Sequence, residues 1–230
     1  MPLAVTLAEL VETAQQLANK VAGDDGQIET PEWKAHISSW YGRVHAVVAD
    51  TAARLFETET TLNLAALTLP SDHRSTIGVD FVDASGRRRE LPELMYQERN
   101  VFGLLTGDAR AWSFSGTAIK LYPLPTSGTY KHLYVPQPTR YNTATDATSV
   151  DVLTSDGLDA ITWGAASVAL HRGESQQQRA LGEATAALKN LREWAVGRSM
   201  TMPKRQQIMS MGDYSDRNGA WNPASWRWNR

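Results

Sequence analysis

In Ile77-Gly78-Val79-Asp80-Phe81-Val82, the residues Ile77, Val79 and Phe81 alternate with Gly78, Asp80 and Val82. That period of two is the mark of a β-strand. On both sides the period is 3.6. Upstream, Leu7, Leu10, Val11, Ala14, Leu17, Ala18 and Val21 fall on one helical face, predicting a helix over 5–22. Gly23-Asp24-Asp25-Gly26 stops it. Thr30-Pro31-Glu32 then supplies a cap, a first-turn proline and a first-turn acid for a long helix over 31–56. Its stripe is Ile37, Trp40, Tyr41, Val44, Val47, Val48, Thr51 and Leu55.

Around the Ile77 strand the chain stays β-like. Thr60 to Leu69 reads as a strand, Asp83-Ala84-Ser85-Gly86 as a turn, and Arg87 to Leu91 as a returning strand. Pro92 to Phe102 suits a short helix. Trp112 and Phe114 lead into a reversal at Ser115-Gly116, and Ile119 and Leu121 continue on a new strand. Pro123 to Gly128 is a loop, and Thr129 to Val135 a last strand. Four to six strands over 60–135 therefore form a small antiparallel sheet. Residues 136–156 read as a long connection. Two helices follow over 157–172 and 176–197, with Asp156 as one cap and Ser175/Gln178 as a capping box. The second carries an a/d-like stripe of Leu181, Ala184, Leu188, Leu191 and Ala195. The order predicts an α+β fold: a helical bundle over 1–198 with an inserted antiparallel sheet, followed by an extended arm over 199–230. The expected core includes Leu10, Leu17, Ile37, Val44, Val48, Ile77, Val79, Leu121, Leu188 and Leu191.

Composition narrows the function. The chain has 230 residues, 42% hydrophobic and 21% charged, which sets it apart from disordered chains. It has no cysteine, so disulfides, thiolate metal sites and thiol catalysis are excluded. With 23 basic and 25 acidic residues, the net charge of −2 argues against a protein that coats nucleic acid. No apolar run approaches the roughly 20 residues of a membrane span, so no membrane partner is expected. The first residues, Met1 to Glu9, have no basic region and do not read as a signal peptide.

No catalytic residue, metal site or cofactor emerges. GxxxxGK[ST], GxGxxG and GxSxG are absent. His36, His45, His73, His132 and His171 never adopt the HExxH spacing and read as surface or half-buried polar residues. Gly26, Ile28 and Glu32 match three positions of a calcium loop, but Val21 and Gly23 stand where its first carboxylates belong. Asp72, Asp80, Glu90 and Glu93 give no defined pair for glycoside hydrolysis.

The arm is the oddest segment. Three of eight tryptophans, Trp221, Trp226 and Trp228, lie in its last ten residues among Arg227 and Arg230, with Tyr214 upstream. From Ser199 on it holds five basic and two acidic residues, a net +3. Trp, Tyr and Arg are the residues enriched at protein contacts, so the arm reads as a partner-docking segment. Trp and Arg also stack on bases and neutralise phosphates, so a nucleic-acid-binding arm is the competing reading.

Leu69-Pro70-Ser71-Asp72 before the Ile77 strand resembles the LPxD segment of tailed-bacteriophage head–tail adaptors, also called connector or head-completion proteins. Leu121-Tyr122-Pro123-Leu124-Pro125 is similar to their second landmark, and Tyr130 to Pro136 to the strand after it. The closing helices match in position. Pro70 and Asp72 are expected to build one turn, Asp72 accepting backbone N–H groups, and Pro123 and Pro125 a rigid loop. The resemblance implies a structural, non-enzymatic virion protein. It implies a ring, usually a dodecamer, beneath the portal protein at the neck, which extends the channel for double-stranded DNA without sequence specificity. It also implies a platform for the next neck or tail component and a C-terminal extension reaching the portal, a role the arm suits by position, with its own Tyr214, Trp221, Trp226, Arg227, Trp228 and Arg230 as the expected contacts. A tail-tube or tail-completion protein of a short-tailed phage is the alternative within the same class.

Overall fold

The computed structural model describes residues 4–18, 28–94, 106–170 and 175–201. Among them the chain is mixed helix and strand. The elements run β1 (Ala4–Thr6), α1 (Leu7–Ala18), α2 (Thr30–Ala52), a 3-10 turn (Ala53–Phe56), β2 (Thr58–Thr61), β3 (His73–Val82), β4 (Arg88–Leu91), β5 (Ala111–Ser115), β6 (Ala118–Tyr122), β7 (Thr129–Pro136), β8 (Ser149–Asp151), α3 (Ser155–Ala169) and α4 (Ser175–Thr201). Four strands form one sheet in the order β2-β7-β3-β4, while β1 pairs with β8 and β5 with β6. The single sheet expected over 60–135 is thus two, because among the described residues β5 and β6 pair as strands only with each other.

The chain divides into two compact units. The described residues of the first are 4–18, 28–60, 69–77, 132–170 and 175–201, and those of the second are 61–68, 78–94 and 106–131. In the first, the four helices share one core. Leu7, Leu10, Val11 and Ala14 of α1 join Trp33, Ile37, Val44 and Val48 of α2, Ile161, Ala165 and Ala166 of α3, and Ala180 and Leu191 of α4. Small residues on α3 let the helices approach closely. A Cβ on Gly164 would run into the Trp40 ring, and one on Gly157 into the Val152 carbonyl oxygen. The core is wider than the expected set: Trp33 and Ile161 are fully buried, whereas Leu17 and Leu188 are only partly buried. Ile77 is also only partly covered.

Helix ends shift for local reasons. α1 starts at Leu7, not residue 5, because Val5 pairs with Val150 and Thr6 closes a capping box with Glu9. Thr6 N–H donates to Glu9 Oε2 at 2.8 Å, and Glu9 N–H to Thr6 Oγ1 at 3.3 Å. The cap of α2 is Glu29 rather than Thr30, with Glu29 N–H donating to Glu32 Oε2 at 3.1 Å. The helix gives way to a 3-10 turn after Ala52, short of residue 56. Thr154, not Asp156, caps α3 by accepting from Gly157 N–H at 3.1 Å. α3 ends at Ala169, and α4 continues to Thr201, so Ser199–Thr201 belong to a helix and not to the arm. The segment 136–156 is more than a connection. It holds β8, fully buried Val150 and Val152, and Tyr141 packed edge-on to Tyr41 at 5.1 Å.

The second unit contains the β5–β6 hairpin, registered with Ser115 opposite Ala118 across Gly116, whose φ is 63°. Trp112 Nε1 donates to the Leu91 carbonyl at 3.0 Å, and Trp112 N–H to that of Pro92 at 3.0 Å. Leu94 N–H donates in turn to the Trp112 carbonyl, so residues 92–94 track β5 and are not helical; the rest of the helix expected over 92–102 lies outside the described residues. The Asp83 carboxylate organises the β3–β4 turn, accepting from Ser85 N–H at 2.8 Å and Arg87 N–H at 2.9 Å. The strand expected over 60–69 breaks after Thr61. Asn63 Oδ1 accepts from Ala65 N–H at 3.0 Å and Leu67 takes φ 49°, so Asn63 draws the backbone into a turn.

Two glycines test this packing in opposite directions. Gly164→Val forces the Trp40 ring from its place and is expected to cost about 3 kcal/mol, as overpacking does. Gly197→Ala, where a Cβ would meet nothing within 4 Å, is expected to stabilise by about 0.5–1 kcal/mol. Urea midpoints with an unchanged slope measure both. Equal midpoints for the two variants would refute the close approach of α2 and α3.

Candidate functional site

Within the first unit, β3 starts and β7 ends beside a polar and aromatic cluster. The Thr76 hydroxyl lies 2.9 Å from His73 Nε2 and 2.9 Å from His132 Nε2. The rings of His73 and His132 stack at 5.4 Å, and those of His132 and Tyr134 at 5.1 Å. The Tyr134 hydroxyl donates to Asp72 Oδ1 at 3.1 Å. Nearby in sequence, Arg74 pairs with Asp50 at 3.0 Å and approaches His45 Nδ1 at 3.3 Å, and His45 stacks on Phe56 at 4.1 Å.

His132 and His45 are 0% and 3% exposed, which corrects their reading as surface or half-buried residues. Burial, and then the neighbouring His73, pushes His132 down to about 4. Burial, and then the Arg74 charge, takes His45 to about 4. Both are therefore neutral at pH 7. His132 Nδ1 has no hydrogen-bond partner among the described residues. A bare acceptor is cheaper than a bare buried N–H, so the proton belongs on Nε2. His132 Nε2–H then donates to Thr76, and the Thr76 hydroxyl donates to His73. An imidazole beside a hydroxyl is also the pairing of a nucleophile and its base. Here the imidazole is sealed from any substrate, and the hydroxyl is already spent between two rings. The cluster locks strands together.

The landmark residues fall on this frame. The Pro70 carbonyl accepts from His73 N–H at 3.1 Å, a turn leading into β3. Pro70 does not end a strand, since β2 stops at Thr61. Among the described residues the Asp72 carboxylate accepts the Tyr134 hydroxyl and no backbone N–H, while its carbonyl accepts one from Gln137. In the second unit, Pro123 follows β6 and Pro125 precedes β7, and the Leu124 carbonyl between them accepts from Gly107 N–H at 3.2 Å. That loop presents Leu124, 58% exposed. Tyr214, Trp221, Trp226, Arg227, Trp228 and Arg230 lie outside the described residues. Also outside lie Val21, Gly23 and Gly26 of the calcium-loop pattern and His171; Ser175's side chain, half of the expected capping box, is not described. Among the described residues no three His, Asp or Glu side chains are grouped to hold a metal ion, and no helix is long and apolar enough to cross a membrane.

Sequence reading missed a groove of about 340 Å³ in the first unit, lined by Ser38, Ser39 and Gly42 of α2 and by Gln137, Thr139 and Arg140. The small residues at 35, 38, 39 and 42, at helical spacing, are its trace in the sequence. Its walls are polar, and they carry no pair of titratable groups that would do acid–base work.

Neutral buried histidines set a pH dependence. Below the ordinary value of 6.5 the unfolded chain takes up protons at His45 and His132 that the folded chain refuses until about pH 4. Stability is therefore full above pH 6.5 and is lost as pH falls from there toward 4. Melting temperatures at pH 7.5 and pH 5.0 check this, with the lower value expected at pH 5.0.

Comparison with known proteins agrees with a structural reading of these sites. No curated protein matches the chain. The family model described as SU10 adaptor protein matches residues 5–207, which takes in all the described helices and strands from Val5 onward. This chain accordingly belongs to the SU10 adaptor protein family, as a structural adaptor and virion component of a bacteriophage.

Proposed function

We propose that the chain is the head–tail adaptor of a tailed phage: copies of it, twelve in the arrangement the resemblance implies, form a ring at the neck between the portal protein and the tail. The match to the adaptor family over residues 5–207 carries this reading. In it, the four helices form a bundle and the β-rich segment between α2 and α3 is an insertion in that bundle. The ring extends the DNA channel and offers the surface on which the next neck or tail component assembles. The role is structural rather than catalytic. The net charge of −2 suits a conduit, because strong phosphate neutralisation would hold duplex DNA instead of letting it pass.

The arm is the portal-docking segment of this proposal. Residues 202–230 follow directly on α4 and bring Trp221, Trp226 and Trp228 together with Arg227 and Arg230. A ring strengthens each weak arm contact by raising the effective concentration of every arm. The turn at Pro70 and Asp72 and the loop at Pro123 and Pro125 present fixed surfaces to neighbouring components.

Deleting residues 203–230 leaves α4 whole, and the truncated protein is expected to keep its melting temperature while losing retention on portal-bearing heads. Converting Trp221, Trp226 and Trp228 to Ala is expected to weaken attachment at least about 100-fold, since central aromatic anchors are each worth about 2 kcal/mol or more. Co-sedimentation with purified heads measures both, and undiminished attachment of the truncated chain would remove the arm from the portal contact.

A further inference from the structure

Among the described residues α4 carries one fully buried stripe and a second that is largely exposed, with only Leu188 of the second packed at the margin of the core. Ala180, Ala184, Ala187, Leu191 and Ala195 are buried. Leu181, Thr185, Leu188, Arg192 and Val196 follow i, i+4, i+7, i+11 and i+15 down another side. Along it Leu181 is 47% and Val196 37% exposed, and Met200, 78% exposed, extends it. The expected a/d stripe thus splits: Ala184, Leu191 and Ala195 face the core, while Leu181 faces out and Leu188 sits at the margin. The cations Lys189 and Arg192 are exposed on this side, and neither forms an ion pair among the described residues.

The flank that α3 and α4 share on the other side is opposite in character. Asp156, Asp159 and Trp163 fall at i, i+3 and i+7 on α3, and Glu183, Asn190 and Trp194 lie along the matching side of α4. Asn190 Nδ2 donates to Asp156 Oδ1 at 3.5 Å, which fixes that side of α4 against α3. Burial, and then the charges of Asp156 and Glu183, hold the Asp159 carboxyl above its usual range. Arg179 stands four residues before Glu183 without forming an ion pair with it. Trp163 and Trp194 are only partly buried.

We infer that copies of this chain join head to tail by seating the Leu181–Leu188–Val196 stripe of α4, with Lys189 and Arg192, on the Asp156–Asp159–Glu183 flank, with Trp163, of the next copy. Charge complementarity selects a second copy as the occupant: the aliphatic stripe carries Lys189 and Arg192, with Glu193 beside them, and the aromatic flank carries Asp156, Asp159 and Glu183, with Arg179 at its edge and Arg198 over the Trp194 ring at 5.8 Å. The two lie on different sides of one helix pair, so each copy offers both halves of the contact. Such a contact is heterologous and repeats, which generates a ring when its rotation closes. The aliphatic and aromatic residues supply burial. The charges set the register and oppose pairing of like stripes. This inference rests on the ring proposed above and names its interface.

The test uses the full chain in sedimentation velocity. Lys189→Glu/Arg192→Glu makes both flanks acidic, and Asp159→Lys/Glu183→Lys makes both basic. Each variant alone is expected to assemble at least about 100-fold more weakly than the wild type, because like charges face each other across the contact. An equimolar mixture of the two is expected to regain assembly, since each supplies the flank the other lacks; this also shows that both are folded. Leu181→Ser, at an exposed position, is expected to weaken assembly about tenfold without changing the melting temperature. If the wild type assembles and both charge variants assemble equally well alone, or two folded variants fail to rescue each other, this interface is overturned while the ring stands. If the wild type is monomeric both in solution and in isolated necks, the ring and the interface fall together.

Discussion

The Trp40 ring occupies the place where any side chain at position 164 would have to stand. Much of the first unit follows from that contact. α3 approaches α2 closely only because Gly164 has no Cβ, and Ala160, Ala165, Ala166 and Ala169 keep the other faces of α3 small and buried. A helix buried on so many sides has little surface left for charge, and its exposed residues reduce to positions such as Ser155, Asp159 and Val168. Dispersion falls off steeply with separation, so small residues that bring backbones together recover in contact what they lack in area. The same device recurs on α4, whose inward stripe is four alanines and Leu191.

The polar cluster at the start of β3 answers a different constraint. His132 is fully buried in a strand, and a buried imidazole costs stability unless it is neutral and bonded. Thr76 and the flanking rings of His73 and Tyr134 meet that requirement within a few residues of the Pro70 turn. The Asp72–Tyr134 hydrogen bond then ties the turn to β7. The landmark Leu69-Pro70-Ser71-Asp72 is therefore a folding element. Its proline shapes the entry to β3, and its aspartate serves a tyrosine more than sixty residues on.

Much of this was legible in the sequence. The periods of α1, α2, α3 and α4, the Asp83–Gly86 turn and the hairpin at Gly116 are local signals, and the structure follows them. What was not legible is long-range. Val5 reads as the start of a helix until Val150 is known to pair with it, although the Thr6–Glu9 capping box already marked the boundary. β8 has three residues in a polar stretch, and only its partner makes it a strand. Burial of His45 and His132 depends on what packs over them, which spacing does not reveal. At Asn63 the sequence held the answer, because a side-chain amide that bonds its own backbone competes with a ladder. The groove beside Ser38 left a stripe of small residues, but such stripes more often mark close packing, as Gly164 does.

The division of α4 into two stripes links the fold to the proposed assembly. A helix needs one apolar face to join a core, and alanine satisfies that with little volume. Leu181 and Val196 lie outside that core face, and exposed aliphatic side chains lined up in one row can bury surface against a second molecule. Their place on a regular stripe with Arg192, away from a flank bearing Asp159, Glu183 and Trp163, gives the proposed association a direction. A self-complementary patch would stop at two copies. Two unlike patches on different sides of one rigid helix pair do not stop, and the angle between them sets the number of copies. In the proposed ring, copy number is a property of how α3 packs on α4, and that packing traces back to the small residues lining their contact.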